Sequence, residues 1–214
     1  REDAVEPWMA FNTAASFTSN TNWQSYSGED TLTNATQMLG LTVQNFASAA
    51  VGMCVAVALI RGIGHLGYQR DVVASQDGQK LIGNFWVDLT RGLVRILLPL
   101  SLIISTVLVL GGTMQTFGSN LVTESGVDIS RAPVASQEAI KLLGTNGGGI
   151  FGANSAHPFE NPTGFTNLVE IFSLLVISFC FIRVYGVMLN SQKHAWTLLG
   201  VAGGLWTLMV VLVN

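Results

Sequence analysis

Apolar residues gather in four long runs along this chain, about Leu41 to Ile60, Leu93 to Leu110 (entered from Trp86), Leu168 to Leu189 and Ala195 to Val213. A helix of about 20 apolar residues crosses the hydrocarbon core of a bilayer, so each run predicts a transmembrane helix. Gln44 and Asn45 open the first run, and Arg91 and Arg95 the second. Pro99 is placed to kink the second helix, which neighbouring helices in a membrane tolerate. Arg183, near the end of the third run, can extend its head to the interface.

Two polar stretches break the pattern. Residues 7–39 and 112–164 are long, sparsely charged and rich in Asn, Thr, Ser and Gly. Each holds one short helical stretch that opens on proline, a residue favoured in the first turn of a helix. These are Pro7 to Phe17 and Pro133 to Gly144; Ser136 is a candidate cap for the second, and Gly144 fits its C-terminal end. Neither can cross a bilayer. Each runs at once into a turn-like segment, Thr18-Ser19-Asn20-Thr21-Asn22-Trp23-Gln24 in one case and Thr145-Asn146-Gly147-Gly148-Gly149 in the other. A short helix, a polar extended loop and then a spanning helix is the pattern of a re-entrant pore loop. Thr21-Asn22 and Thr145-Asn146 mark the two stretches as a weak internal repeat, with a register uncertain by one residue.

Composition agrees with a membrane protein. Charged residues make up 11% of the 214 and apolar residues 49%, against about 25% charged in a soluble domain. The net charge of −3 and the scattered lysines and arginines exclude an electrostatic nucleic-acid surface. Arg61, Arg70, Lys80, Arg91, Arg95, Arg183 and Lys193 fall on one side of the predicted membrane, whereas Arg1, Arg131 and Lys141 fall on the other. The excess of basic residues marks the cytoplasmic side, which puts both polar stretches outside. Arg1-Glu2-Asp3 is not a secretory leader, and the chain reads as a piece cut from a longer protein. Cys54 and Cys180 lie inside apolar runs and read as small hydrophobes.

The chemistry of the two loops suits a weakly hydrated cation. A pore replaces an ion's water with backbone carbonyl oxygens, and glycine permits the backbone angles that turn successive carbonyls toward one axis. A short helix dipping inward also aims the negative end of its dipole at the membrane centre. No acid lies within either loop, and Glu29 and Glu160 are expected at the mouth, concentrating cations. A phosphate cradle is the competing reading of the glycines. It fails on the absent Gly-Lys-Ser/Thr motif and on the lack of a lysine near the loop.

The residues also resemble a known family. Asn20-Thr21-Asn22-Trp23-Gln24-Ser25-Tyr26-Ser27-Gly28-Glu29 is similar to the first filter of the KdpA family, the potassium-binding subunits of Kdp potassium-transporting ATPases. Gly144 to Gly149 and Ala153-Asn154-Ser155-Ala156-His157-Pro158-Phe159-Glu160-Asn161-Pro162-Thr163 are similar to the second. Leu41 to Phe46 and Ala135 to Lys141 also match. The resemblance implies an all-α polytopic membrane protein of channel-like helix–pore loop–helix repeats, here a fragment with about four transmembrane helices and two re-entrant pore loops. Residues 1–62 would be the pore loop and second helix of repeat one, 63–84 a cytoplasmic loop, 85–190 repeat two, and 191–214 the first helix of repeat three. The third and fourth filters would lie elsewhere in the parent.

The resemblance further implies filter oxygens from Asn20, Thr21 and Asn22 and from Thr145, Asn146 and Gly147. Gly148 and Gly149 would shape the second turn, and Gln24 and Asn154 would support the filter from behind or at its mouth. Asn22 would stand where Gly147 stands in the second loop, and Trp23 would wedge the first. Ile150 and Gly152 depart from the family's usual phenylalanine and asparagine. The implied activity is capture of potassium from outside the bacterial inner membrane and its delivery to a P-type ATPase catalytic subunit, with small accessory subunits completing the complex. Potassium is the transported ion. ATP acts only through the partner, since this chain has no aspartyl-phosphate or nucleotide motif, so it is enzymatic only as a subunit of a translocase.

Three other readings compete, one of them a purely structural membrane scaffold, which would show no ion dependence. A free-standing channel-like potassium transporter would use the same loops. A membrane-embedded enzyme would have to be built on His157 and Glu160, a poor catalytic set without a nucleophile; a structural mouth loop held by Pro158 and Pro162 explains those residues better.

Overall fold

A computed structural model describes residues 5–67, 82–126 and 128–213. Among the described residues four helices are long and apolar enough to cross a membrane: Thr36–Gly64, Phe85–Leu110, Gly164–Met188 and Gln192–Val213. They coincide with the four apolar runs, each extended at its polar end. The first comprises a widened π-helical turn, Thr36–Thr42, and α3 (Val43–Gly67). The second joins α4 (Phe85–Gly92) to α5 (Leu98–Leu110) through a second π-helical segment, Leu93–Leu97. Pro99 has no N–H to donate to the preceding turn, and the widened segment lies just before it. The last two are α7 (Gly164–Met188) and α8 (Gln192–Val213).

The helix starts are held by side chains. Asn84 accepts from the N–H groups of Trp86 and Val87. Thr163 and Thr166 form a reciprocal capping box at the start of α7, which satisfies donors that a helix N-terminus otherwise leaves unpaired. Close approaches then fix the packing. A Cβ on Gly111 would lie 2.5 Å from Thr166 Cγ2, and one on Gly186 would lie 2.6 Å from Ala195 Cβ. Small residues let transmembrane helices approach closely where no hydrophobic effect drives them together.

The short helices are α1 (Pro7–Thr18), α2 (Gly28–Thr31) and α6 (Val134–Leu143). The central element is α6, which touches α3, α5 and α7. Its Ala135, Ala139 and Leu143 form a buried cluster with Ile104 and Leu108 of α5. Ser136 does not cap it: its hydroxyl donates to the Pro133 carbonyl, and Pro133 is the capping position. The all-α expectation needs one amendment, a small hairpin in which β1 (Leu121–Val122) pairs antiparallel with β2 (Asp128–Ile129). Gly126 has φ +80° in its turn.

Arg61, near the far end of α3, pairs with Asp88 in the first turn of α4. Arg61, Arg91 and Arg95 line one cavity of about 500 Å³ with Cys180 and Val184, at the end of the bundle away from the two polar loops. Arg1, Arg70 and Lys80 of the charge argument, and most of the expected 63–84 loop, lie outside the described residues. Because Gly186 has no room for a side chain, Gly186→Val is expected to destabilise the α7–α8 contact by about 1–3 kcal/mol. Thermal unfolding of the detergent-solubilised parent protein checks this, with Gly200→Val, where a Cβ meets nothing within 4 Å, as the tolerated control.

Candidate functional site

Both short helices end in the same hydrogen-bonded turn. Beyond α1 the N–H groups of Ser19, Asn20 and Thr21 donate to the carbonyls of Ala15, Phe17 and Ser16. Beyond α6 those of Gly144, Thr145 and Asn146 donate to Ile140, Leu142 and Lys141. Asn20 therefore corresponds to Thr145, Thr21 to Asn146 and Asn22 to Gly147. Matching the two Thr-Asn pairs by identity is one residue out of register. The backbone angles agree, since φ is positive at Asn20 and Asn22 and at Thr145 and Gly147 but not at the residues between. In a regular strand successive peptide groups face opposite sides; a change of hand at alternate residues turns them toward one side.

The next helices repeat the motif as well. Thr33 accepts from Thr36 N–H through its hydroxyl and from Gln37 N–H through its carbonyl, as Thr163 does from Thr166 and Asn167.

The loops lie against each other. Asn146 Nδ2 donates to Asn20 Oδ1 at 2.6 Å and to Ser48 Oγ of α3 at 2.8 Å. Asn22 Nδ2 donates to the Asn146 carbonyl at 3.2 Å, and Gln24 Nε2 to the Gly149 carbonyl at 2.9 Å. Asn154 Oδ1 accepts from Gly148 N–H at 2.6 Å. Thr21, Asn22, Gln24, Asn146, Gly147, Gly148 and Asn154 all line one cavity of about 400 Å³. Asn20 and Thr145 line a second, of about 300 Å³, together with Ser48 and Phe181. Gly149 lies behind the loop rather than in either cavity.

Several oxygens here have no donor. Asn22 Oδ1, Gln24 Oε1 and Asn146 Oδ1 are buried without a hydrogen-bond partner. Among the described residues, the carbonyls of Asn20, Thr21, Asn22, Thr145 and Gly147 accept no hydrogen bond. A buried unpaired acceptor costs about 1–3 kcal/mol, and a cation in the cavity would remove that cost. The residues that line the two cavities include no charged side chain, so the oxygens they present are neutral.

The glycines are needed for different reasons. Gly147 is left-handed, with φ +85°, and has room, since a Cβ would lie 3.4 Å from Asn154 Oδ1. Gly149 has no room: its Cβ would lie 2.6 Å from Glu160 Oε1, 3.0 Å from Lys141 Nζ and 3.2 Å from Glu138 Oε1. Gly144 is not left-handed; its φ is −80°, and the left-handed residue is Thr145. A Cβ at Gly144 would instead strike Asn146 Oδ1.

Three expectations change. Glu160 is fully buried, not at the mouth. Its backbone is clamped by Thr113 Oγ1, which donates to the Glu160 carbonyl, and by Met114 N–H, which donates to that of Phe159. The glycine loop does have a lysine beside it, because Lys141 Nζ donates to the Gly148 carbonyl at 2.8 Å and to Glu138 Oε1 at 2.5 Å. Trp23 is no wedge; the residue is 77% exposed, and its backbone N–H donates to Ser16 Oγ at 2.7 Å.

Sequence reasoning gave no role to Ser16, Ser48, Glu138 or Lys141. The available signal was Glu138 and Lys141, a charged pair three residues apart on a short helix whose other residues, Gln137 apart, are small or apolar.

Burial is the main cause that pushes the Glu160 carboxyl from its ordinary 4.5 up to about 7, and the Glu138 carboxylate adds to it. The Lys141 ammonium and the His157 N–H work the other way.

A family model described as KdpA, potassium-transporting ATPase A subunit, matches residues 1–214. A protein of Mycobacteroides abscessus named potassium-transporting ATPase potassium-binding subunit is 53% identical over 99% of this chain and 36% of its own length. Relatives of the same name from Rhodococcus opacus and Nocardia farcinica are 55% and 50% identical, over 94% and 96% of this chain and 35% and 36% of their own lengths. The chain belongs to the KdpA family and spans about a third of the length of these relatives.

Two measurements test the geometry. Gly149→Ala is expected to lower the unfolding temperature of the parent protein more than Gly147→Ala, because only the first adds a collision to the backbone strain; comparing the two melting curves in detergent decides it. Between about pH 4.5 and pH 7 the folded protein keeps on Glu160 a proton that the unfolded chain gives up. That contribution is complete below the ordinary carboxylate value and is lost as pH rises toward 7. The stability difference between wild type and Glu160→Gln is therefore expected to shift in favour of the variant across this window and to stay level above it.

Proposed function

We propose that this member of the KdpA family supplies two walls of a potassium-selective filter in an ATP-driven potassium uptake complex. One observation carries the reading: two repeat-related loops line a common cavity, and among the residues that line it Asn22 Oδ1, Gln24 Oε1 and Asn146 Oδ1 are buried without a donor. Neutral oxygens suit a monovalent cation that must be released again, since a fixed carboxylate would hold it by full charge attraction. The names of the relatives support potassium as the ion and an ATPase as the setting. In this reading Asn20, Thr21, Asn22, Thr145, Asn146 and Gly147 offer the oxygens. Gly148 and Gly149 shape the second loop, and Gln24 and Asn154 brace it.

The repeat boundaries follow. Residues 1–62 hold the pore loop and second helix of repeat one, 63–84 a cytoplasmic loop, 85–190 repeat two, and 191–214 the first helix of repeat three. The rest of the parent contributes the other walls. The exposed apolar residues Trp8 and Phe11 on α1, and Trp196, Leu205 and Trp206 on α8, are faces for it or for lipid.

The membrane is the bacterial plasma membrane, and the filter loops face outside. Arg61, Arg91 and Arg95 at the opposite end support that orientation. ATP is hydrolysed by a P-type partner subunit, with small accessory subunits in the complex, and this chain's part is to select the ion and pass it on.

Calorimetric titration of the full-length parent in detergent with potassium and with sodium tests the reading, comparing wild type with Gly147→Asp. Wild type is expected to prefer potassium, and the variant to lose most of that preference, because a carboxylate enters the cavity at a left-handed position. Absent potassium binding, or a variant that discriminates like wild type, overturns it.

A further inference from the structure

In both loops the short helix reaches forward seven residues to hold its own filter loop, but it grips opposite ends of the peptide. Ser16 corresponds to Lys141 and Trp23 to Gly148 in the register that the helix ends define. In the first loop Ser16 Oγ accepts the N–H of Trp23 at 2.7 Å. In the second, Lys141 Nζ donates to the carbonyl of Gly148 at 2.8 Å. The first strut leaves the carbonyl at this level without a partner among the described residues; the second occupies it.

Lys141 is built into place. It is 1% exposed, as is Glu138, which holds it at 2.5 Å. Glu138 Oε2 in turn accepts from Ser155 Oγ at 2.7 Å, so the pair ties α6 to the segment that follows the filter. A buried charge pair is tolerated only when its remaining hydrogen-bonding capacity is used, and here a loop carbonyl takes up part of it. Gly149 leaves the space into which Lys141, Glu138 and Glu160 converge.

From this geometry we infer that Lys141 is a specificity-determining positioning residue. Anchored by Glu138, its ammonium ties back the Gly148 carbonyl and so fixes which peptide oxygens of the second loop remain for a cation. The inference rests on the filter reading above. It makes the two loops unequal, with the Trp23 carbonyl left unheld at the level where the Gly148 carbonyl is tied back.

The test uses the full-length parent in its assembled complex and reads potassium-stimulated ATP hydrolysis, with KM and kcat taken separately and sodium as the competing ion. Lys141→Met is expected to raise the KM for potassium about tenfold, the scale of one hydrogen bond to a charged group, and to let sodium stimulate turnover. The kcat stays within about twofold. Because the single change strands a buried carboxylate, Glu138→Gln combined with Lys141→Met is the second variant, and the same shift is expected. Gly147→Asp serves as the control for the filter itself.

If the double variant assembles and discriminates like wild type while Gly147→Asp does not, the strut plays no part in selectivity and the filter stands. If Gly147→Asp also behaves as wild type, the filter reading falls and takes the inference with it. Failure of both Lys141 variants to assemble makes the pair a folding requirement and likewise overturns the inference.

Discussion

Irregular backbone buried among spanning helices must find partners for its N–H and C=O groups inside the protein, and most of this structure follows from that constraint. The two polar loops use each other and the helices around them. Asn146 bonds to Asn20 and Ser48, Gln24 reaches across to Gly149, and Asn154 takes the N–H of Gly148. Once those bonds are made, Asn22 Oδ1, Gln24 Oε1 and Asn146 Oδ1 are left without a donor beside the two loops.

The two short helices meet the constraint differently. On α1 only Phe17 is buried, whereas α6 buries eight residues, including Gln137, Glu138 and Lys141. Charged side chains in such a place are expensive unless paired. The cost is offset because Lys141, Glu138, Ser155 and the Gly148 carbonyl form one connected set. Glu160, brought in beside them by the clamp at Thr113 and Met114, is relieved in another way, by holding its proton up to about pH 7.

The spanning helices were legible because length and hydropathy alone define them, and the Pro-led short helices because proline marks a helix start, in the first turn at Pro7 and at the cap at Pro133. The register between the repeats was legible only through the family resemblance, which sets Asn22 against Gly147. The identical Thr-Asn pairs invite one alignment, but the positive φ angles at Asn20, Asn22, Thr145 and Gly147 impose another, and sequence identity carries no information about handedness. Glu160 was misplaced for a different reason. Its burial depends on bonds to Thr113 and Met114, more than forty residues away, which no local pattern announces. Lys141 was visible as a lysine on a short helix, yet its contact with Gly148 needs the chain to turn back after Leu143. The hairpin at Leu121–Ile129 was missed because two-residue strands leave almost no alternation to read.

The unequal struts at Ser16 and Lys141 have one more consequence. In an assembly of identical subunits every substitution appears on all sides at once, so affinity moves in large steps. Here the two walls are written at separate places in one chain, and a change at codon 141 leaves codon 16 untouched. Descent with modification can then adjust the grip on an ion one side at a time, in increments that a symmetric ring cannot reach.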